Sequence, residues 1–155
     1  MGYVRTKDGS NWWLTMVYAP QGDKLKTQFL LELAARRENC PGPWMPLGDF
    51  NMILRASEKN NNNINRGMMN KFWSFVEEQE LKEMYMHGRM YTWCNESDAP
   101  TLTKIDRALA SIDWELTYPD HLLQALSTSI SDHTPMHIST STHFYLKKRF
   151  HFEIY

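Results

Sequence analysis

The feature that most constrains this chain is a pair of short apolar blocks flanking one helical stretch. Trp12-Trp13-Leu14-Thr15-Met16-Val17-Tyr18 is aromatic and β-branched and is closed by Ala19-Pro20, which predicts a strand. Asp23 then offers a helix cap. Leu25, Phe29, Leu30, Leu33 and Ala34 recur at helical spacing, and Arg36 and Arg37 sit where the negative end of the helix dipole favours them. Pro41-Gly42-Pro43 ends that helix. Trp44-Met45-Pro46-Leu47-Gly48 predicts a second strand, which Pro46 makes either an edge or a strand limited to its last residues.

Further along, Arg55 to Arg66 is polar and contains Asn60-Asn61-Asn62-Asn63, a run that cannot build a core and predicts a mobile surface loop. Met69, Phe72, Trp73 and Val76 mark an amphipathic helix over roughly 67–80. Strand-like pieces follow at 82–86, 90–94 and 102–105, then a helical turn over 111–117 before Pro119. Residues 122–130 read as strand, as do 136–142, where Met136, Ile138 and Thr140 share one face. Strands mixed with two helices, then several strands, predict an α/β or α+β sandwich.

The 155 residues suit one domain. Seventeen basic against eighteen acidic side chains give a net charge of −1, which excludes a basic coat over the whole surface but not a local basic face. No apolar run is long enough to cross a bilayer. The polar opening and two cysteines point to an intracellular protein, nuclear or cytoplasmic, rather than a secreted one. No G-x-S-x-G elbow, Walker loop, C-x-x-C or H-E-x-x-H helix is present. Met1-Gly2 and Asn95-Glu96-Ser97 match acylation and glycosylation patterns too short to carry weight.

Three polar clusters remain. In Gly48-Asp49-Phe50-Asn51 an acid and an amide alternate after an apolar strand, so both project to one side. Such a pair can orient water and donate to a phosphate oxygen; it can equally be an Asx turn. Ser131-Asp132-His133 sets an imidazole, the general acid or base available near neutral pH, beside a carboxylate. Asp132 projects differently from His133 in an extended segment, so the partner that fixes the imidazole is expected elsewhere. Lys104-Ile105-Asp106-Arg107 offers one in Asp106, at the end of a strand, although a surface ion pair with Arg107 is the commoner fate of such a dipeptide.

In this order the clusters resemble the endonuclease/exonuclease/phosphatase superfamily, the fold of deoxyribonuclease I. More narrowly, they resemble the endonuclease domain of plant LINE-type (non-LTR) retrotransposons. The resemblance rests on Trp13 to Pro20, Pro43-Trp44 with Gly48-Asp49-Phe50-Asn51, and Gly88 with Tyr91-Thr92-Trp93-Cys94-Asn95. It also rests on Lys104 to Leu109 with Trp114, Ser131 to Met136, and Arg149-Phe150-His151-Phe152-Glu153. It implies an α/β deoxyribonuclease I-like sandwich of two sheets flanked by helices, a partial domain over 1–142 and a carboxy-terminal tail over 143–155.

The implied roles fall residue by residue. Tyr18 reaches the scissile phosphate, Asp49 orients or deprotonates the attacking water, and Asn51 holds the phosphate. Asp106 fixes the catalytic His133, and Asp132 lies at the site of a divalent metal, Mg2+ or Mn2+. DNA is the implied substrate, and a reverse transcriptase the implied neighbour in an intact polyprotein. The family also carries an asparagine strand and a metal-ligand glutamate strand ahead of the tyrosine. Here Asp8 is the only acid before Tyr18. The domain is therefore expected to be incomplete at its amino-terminal end and its phosphodiester hydrolysis impaired. Two alternatives are a non-catalytic nucleic-acid-binding remnant, in which Lys147, Lys148 and Arg149 contact phosphates, and a phosphatase acting on a small phosphoester.

Overall fold

A computed structural model describes residues 1–7, 9–95 and 97–141. Asp8, Lys147, Lys148 and Arg149, with the rest of the expected tail, lie outside the described residues. The chain is mixed α/β. Strands β1 (Gly2–Arg5) and β2 (Asn11–Tyr18) form a hairpin, helix α1 (Asp23–Glu38) follows, and β3 (Trp44–Asp49) returns parallel to β2. Helix α2 (Arg66–Glu78) leads to the short strands β4 (Leu81–Glu83), β5 (Met86–His87), β6 (Trp93–Cys94) and β7 (Leu102–Thr103). Strand β8 (Asp106–Ser111), helix α3 (Ile112–Thr117) and strands β9 (Leu122–Ala125) and β10 (Met136–Ser139) complete the described order.

The main sheet runs β1-β2-β3-β8-β4, a second runs β10-β9-β5, and β6 pairs with β7. Each face of the main sheet carries its own core. On one face Val17, Trp44 and Leu109 pack with Leu30 and Leu33 of α1 and Phe72, Phe75 and Val76 of α2. On the other, Trp12, Met45, Ala108 and Ala110 pack against Leu123 of the second sheet and Trp114 of α3. A β-strand sends alternate side chains to opposite faces, so β2, β3 and β8 each serve both cores. All six residues of β8 are buried.

Several elements differ from expectation for physical reasons. β3 is a central strand, not an edge. Its pairing with β8 covers only Leu47–Asp49, beyond Pro46, and the Trp44 N–H is satisfied by Ser111 Oγ at 2.9 Å. Asp106 opens β8 rather than ending a strand, because the earlier strand stops at Thr103. The α2 stripe begins at Met68, and Trp73 is half exposed. Gly22, not Asp23, caps α1; Asp23 lies in its first turn and accepts from Asn65 Nδ2 at 2.6 Å. Leu25 is exposed. The strand expected over 122–130 ends at Ala125. The asparagine run is exposed but laced to its neighbours: Asn60 donates to the Pro100 carbonyl and accepts from Leu102 N–H, and Asn61 bonds Thr101.

Candidate functional site

Register places three side chains in one row. Tyr18 pairs with Asp49 across β2 and β3, and Asp49 pairs with Asp106 across β3 and β8. Paired residues project to the same face, so the row lies on the face that carries the second sheet. Tyr18, 83% exposed, forms its open end, whereas Asp49 and Asp106 are each only 7% exposed.

The turn after β3 is held from four sides. Phe50 is buried against Phe72, with ring centroids 5.2 Å apart, and its N–H donates to the Ile105 carbonyl at 2.9 Å. Asn51 takes a left-handed φ of +50°, which asparagine tolerates better than most residues. Its N–H donates to Asp49 Oδ1 at 2.7 Å, so the Asx turn and the acid–amide pair are one structure. Its Nδ2 donates to the Ala19 carbonyl at 2.6 Å, and its Oδ1 accepts from Gln21 Nε2 at 2.8 Å. Among the described residues one amide hydrogen of Asn51 is left over.

His133 reaches the row from a separate segment. Thr134 N–H donates to the Thr92 carbonyl at 2.7 Å, and His133 bridges Trp93 as an antiparallel partner. The buried Thr92 Oγ1 accepts from the N–H groups of Ile105 and Asp106 at 3.0 and 2.9 Å. One threonine thus ties the start of β8 to the segment that carries His133. His133 Nδ1 lies 3.1 and 3.0 Å from the two Asp106 carboxylate oxygens. A carboxylate only accepts, so Nδ1 carries the proton and Nε2 faces away from Asp106. Asp132 is exposed and accepts from Trp93 Nε1 at 2.9 Å, so it is not the partner of its neighbouring imidazole.

Burial pushes the Asp49 carboxyl above its ordinary value. The Asn51 N–H works against this, the Asp106 charge adds to it, and His133 and Lys26 oppose it. Asp49 therefore has raised proton affinity, the property a general base requires. Arg107 projects to the opposite face of β8 and is 1% exposed, which rules out a surface ion pair with Asp106. Its guanidinium donates to the carbonyls of Met52 (3.1 Å) and Lys104 (2.7 Å) and to Glu58 (3.0 Å) and Glu83 (2.9 Å). It clamps the segments that follow Asn51 and precede Asp106.

Tyr18, Asp49, Asn51, Asp106 and His133 thus come together, Asp132 flanks them, and Lys147, Lys148 and Arg149 lie outside the described residues. Thr92 and Gln21 hold the site in place without any sequence pattern that singles out their roles. The divalent cation that the resemblance implies finds few uncommitted ligands here. Among the described residues no three His, Cys, Asp or Glu side chains are grouped to hold one. Asp106 directs both oxygens at His133, and Asp132 is engaged by Trp93. The sequence matches no protein-family model and no curated protein.

Proposed function

We propose that this site holds a DNA phosphodiester in the manner of the endonuclease/exonuclease/phosphatase enzymes, within a deoxyribonuclease I-like sandwich of retrotransposon origin, and that its cleavage of that bond is impaired. The observation that carries the reading is the His133–Asp106 pair beside Asp49 in a single row across β2, β3 and β8.

In this reading the imidazolium form of His133 donates Nε2–H to the phosphoryl group while Asp106 accepts from Nδ1–H and fixes the ring. Asp49 takes a proton from the attacking water as its oxygen bonds to phosphorus, a task its raised proton affinity suits; the P–O bond to the leaving sugar oxygen breaks, and that oxygen takes the Nε2 proton of His133. The second amide hydrogen of Asn51 and the Tyr18 hydroxyl donate to phosphoryl oxygens. Developing negative charge is where such enzymes gain most of their rate. A magnesium or manganese ion would supply that neutralisation when bound. Among the described residues no three carboxylate, imidazole or thiol side chains group to hold it.

The test combines DNA binding by the full chain at low and moderate salt with nicking of supercoiled plasmid in magnesium. The expected result is salt-dependent binding, weakened about tenfold or more in His133→Ala through loss of a charge-assisted hydrogen bond, with slow nicking at most. Absence of binding at low salt, or equal binding by His133→Ala and Asn51→Ala, overturns the reading. Rapid nicking that His133→Ala abolishes overturns the impairment alone. Phosphate release from small phosphoesters without DNA binding transfers the site to a phosphatase.

A further inference from the structure

A cavity of about 260 Å3 opens beside Asn51, lined from α1 by Lys26 and from α2 by Met68. Lys59 and Thr103 add to its polar wall, and Met52 and Ile105 to its apolar one. Asp23 also lines it and keeps its negative charge, which acts on Lys26, while one of its oxygens accepts from Asn65. Lys59 spends one of its ammonium hydrogens on the Asn63 carbonyl, leaving two.

Lys26 is different. It is half-buried, yet its ammonium makes no hydrogen bond or ion pair with any described residue. Burial holds its proton affinity below the usual lysine value, and the charges of Asp23 and Asp49 only partly offset this. Partial burial costs an ammonium some of its hydration, and an arriving anion offsets that cost.

We propose that this cavity is a second phosphoryl-binding pocket, in which the Lys26 ammonium, with Lys59 beside it, receives the phosphate adjacent along a nucleotide chain to the one held by Asn51 and His133. The apolar wall gives the intervening sugar a surface to pack on. The assignment rests on the phosphodiester reading of the His133 site.

Calorimetric titration of the full chain with inorganic phosphate, and separately with a short DNA duplex over a salt series, tests it in wild type, Lys26→Gln and Lys26→Arg. Thermal denaturation of each variant establishes that it is folded. Lys26→Gln is expected to lose about tenfold in phosphate affinity, roughly 1.4 kcal/mol. It should also lower the slope of log affinity against log salt for DNA by about one, and Lys26→Arg should retain most of both. Unchanged phosphate affinity and salt slope in Lys26→Gln overturn the pocket and leave the His133 reading intact. Phosphate binding that depends on Lys26, in a protein that binds no DNA, overturns the adjacent-phosphate assignment together with the DNA reading. A wild-type chain that binds neither overturns both.

Discussion

Replacing Glu83 by glutamine tests how the site's supporting framework is held. Glu83 accepts from Arg107 at 2.9 Å, Lys104 at 2.8 Å and Arg55 at 3.0 Å. The Arg107 and Glu83 side chains are 1% and 9% exposed, so solvent screens that pair little. Arg55 is 60% exposed and contributes little. After the substitution Arg107 keeps, among the described residues, only Glu58 as an ionic partner. Neutralising one member of a buried pair costs about 3–5 kcal/mol. Glutamine retains one acceptor oxygen, which sets the expectation at the lower end, about 3 kcal/mol at neutral pH. Burial raises the Glu83 carboxyl, but Arg107, Lys104 and Arg55 outweigh burial and hold it below its ordinary value. Its stabilisation is therefore present above the ordinary glutamate value and lost as pH falls through the depressed one. Urea unfolding of wild type and Glu83→Gln should show a gap that narrows steadily on acidification. A gap below about 1 kcal/mol at neutral pH, or one independent of pH, refutes the reasoning.

Two further substitutions have opposite expected signs. Gly48→Ala places a Cβ against the Val17 carbonyl oxygen at a φ of +138°; it should cost about 3 kcal/mol or more in urea unfolding, and a cost below 1 kcal/mol contradicts the close approach of β2 and β3. Asp49→Asn keeps the acceptor for Asn51 N–H but removes a carboxyl whose pKa burial raises. Wild-type stability falls as pH climbs from the ordinary aspartate value through the raised one, so the variant should be more stable at neutral pH, by about 1 kcal/mol, and the difference should vanish in acid.

The strand–helix–strand beginning was legible because its apolar periods are clean: β2, α1 and β3 stand where Trp12 to Tyr18, Phe29 to Ala34 and Trp44 to Gly48 indicate. β8 was hidden. Asp106 was readable as a partner for His133 and is one, but Arg107 beside it reads as surface and is instead held by two glutamates and two carbonyls, most of them supplied by distant segments. The α2 phase slipped by one residue at Met68 because neighbouring methionines and Trp73 blur a helical stripe. In the candidate site the alternation of Asp49 and Asn51 was readable, as was the need for an imidazole partner outside Asp132. Thr92 and Lys26 were not, since their roles depend on which strands and helices meet. Among the described residues no helix is long and apolar enough to cross a membrane.

The central claim is that a phosphodiester sits against His133 and Asn51 together. An NMR titration of the isotopically labelled chain with a short DNA duplex measures it directly, following the His133 ring nitrogens and the Asn51 side-chain amide. The two signals should shift in concert along one saturation curve, with the His133 Nδ1 proton present in wild type and lost from that position in Asp106→Asn. Saturable DNA binding that leaves both signals unmoved, or an imidazole protonated only at Nε2, would contradict the account.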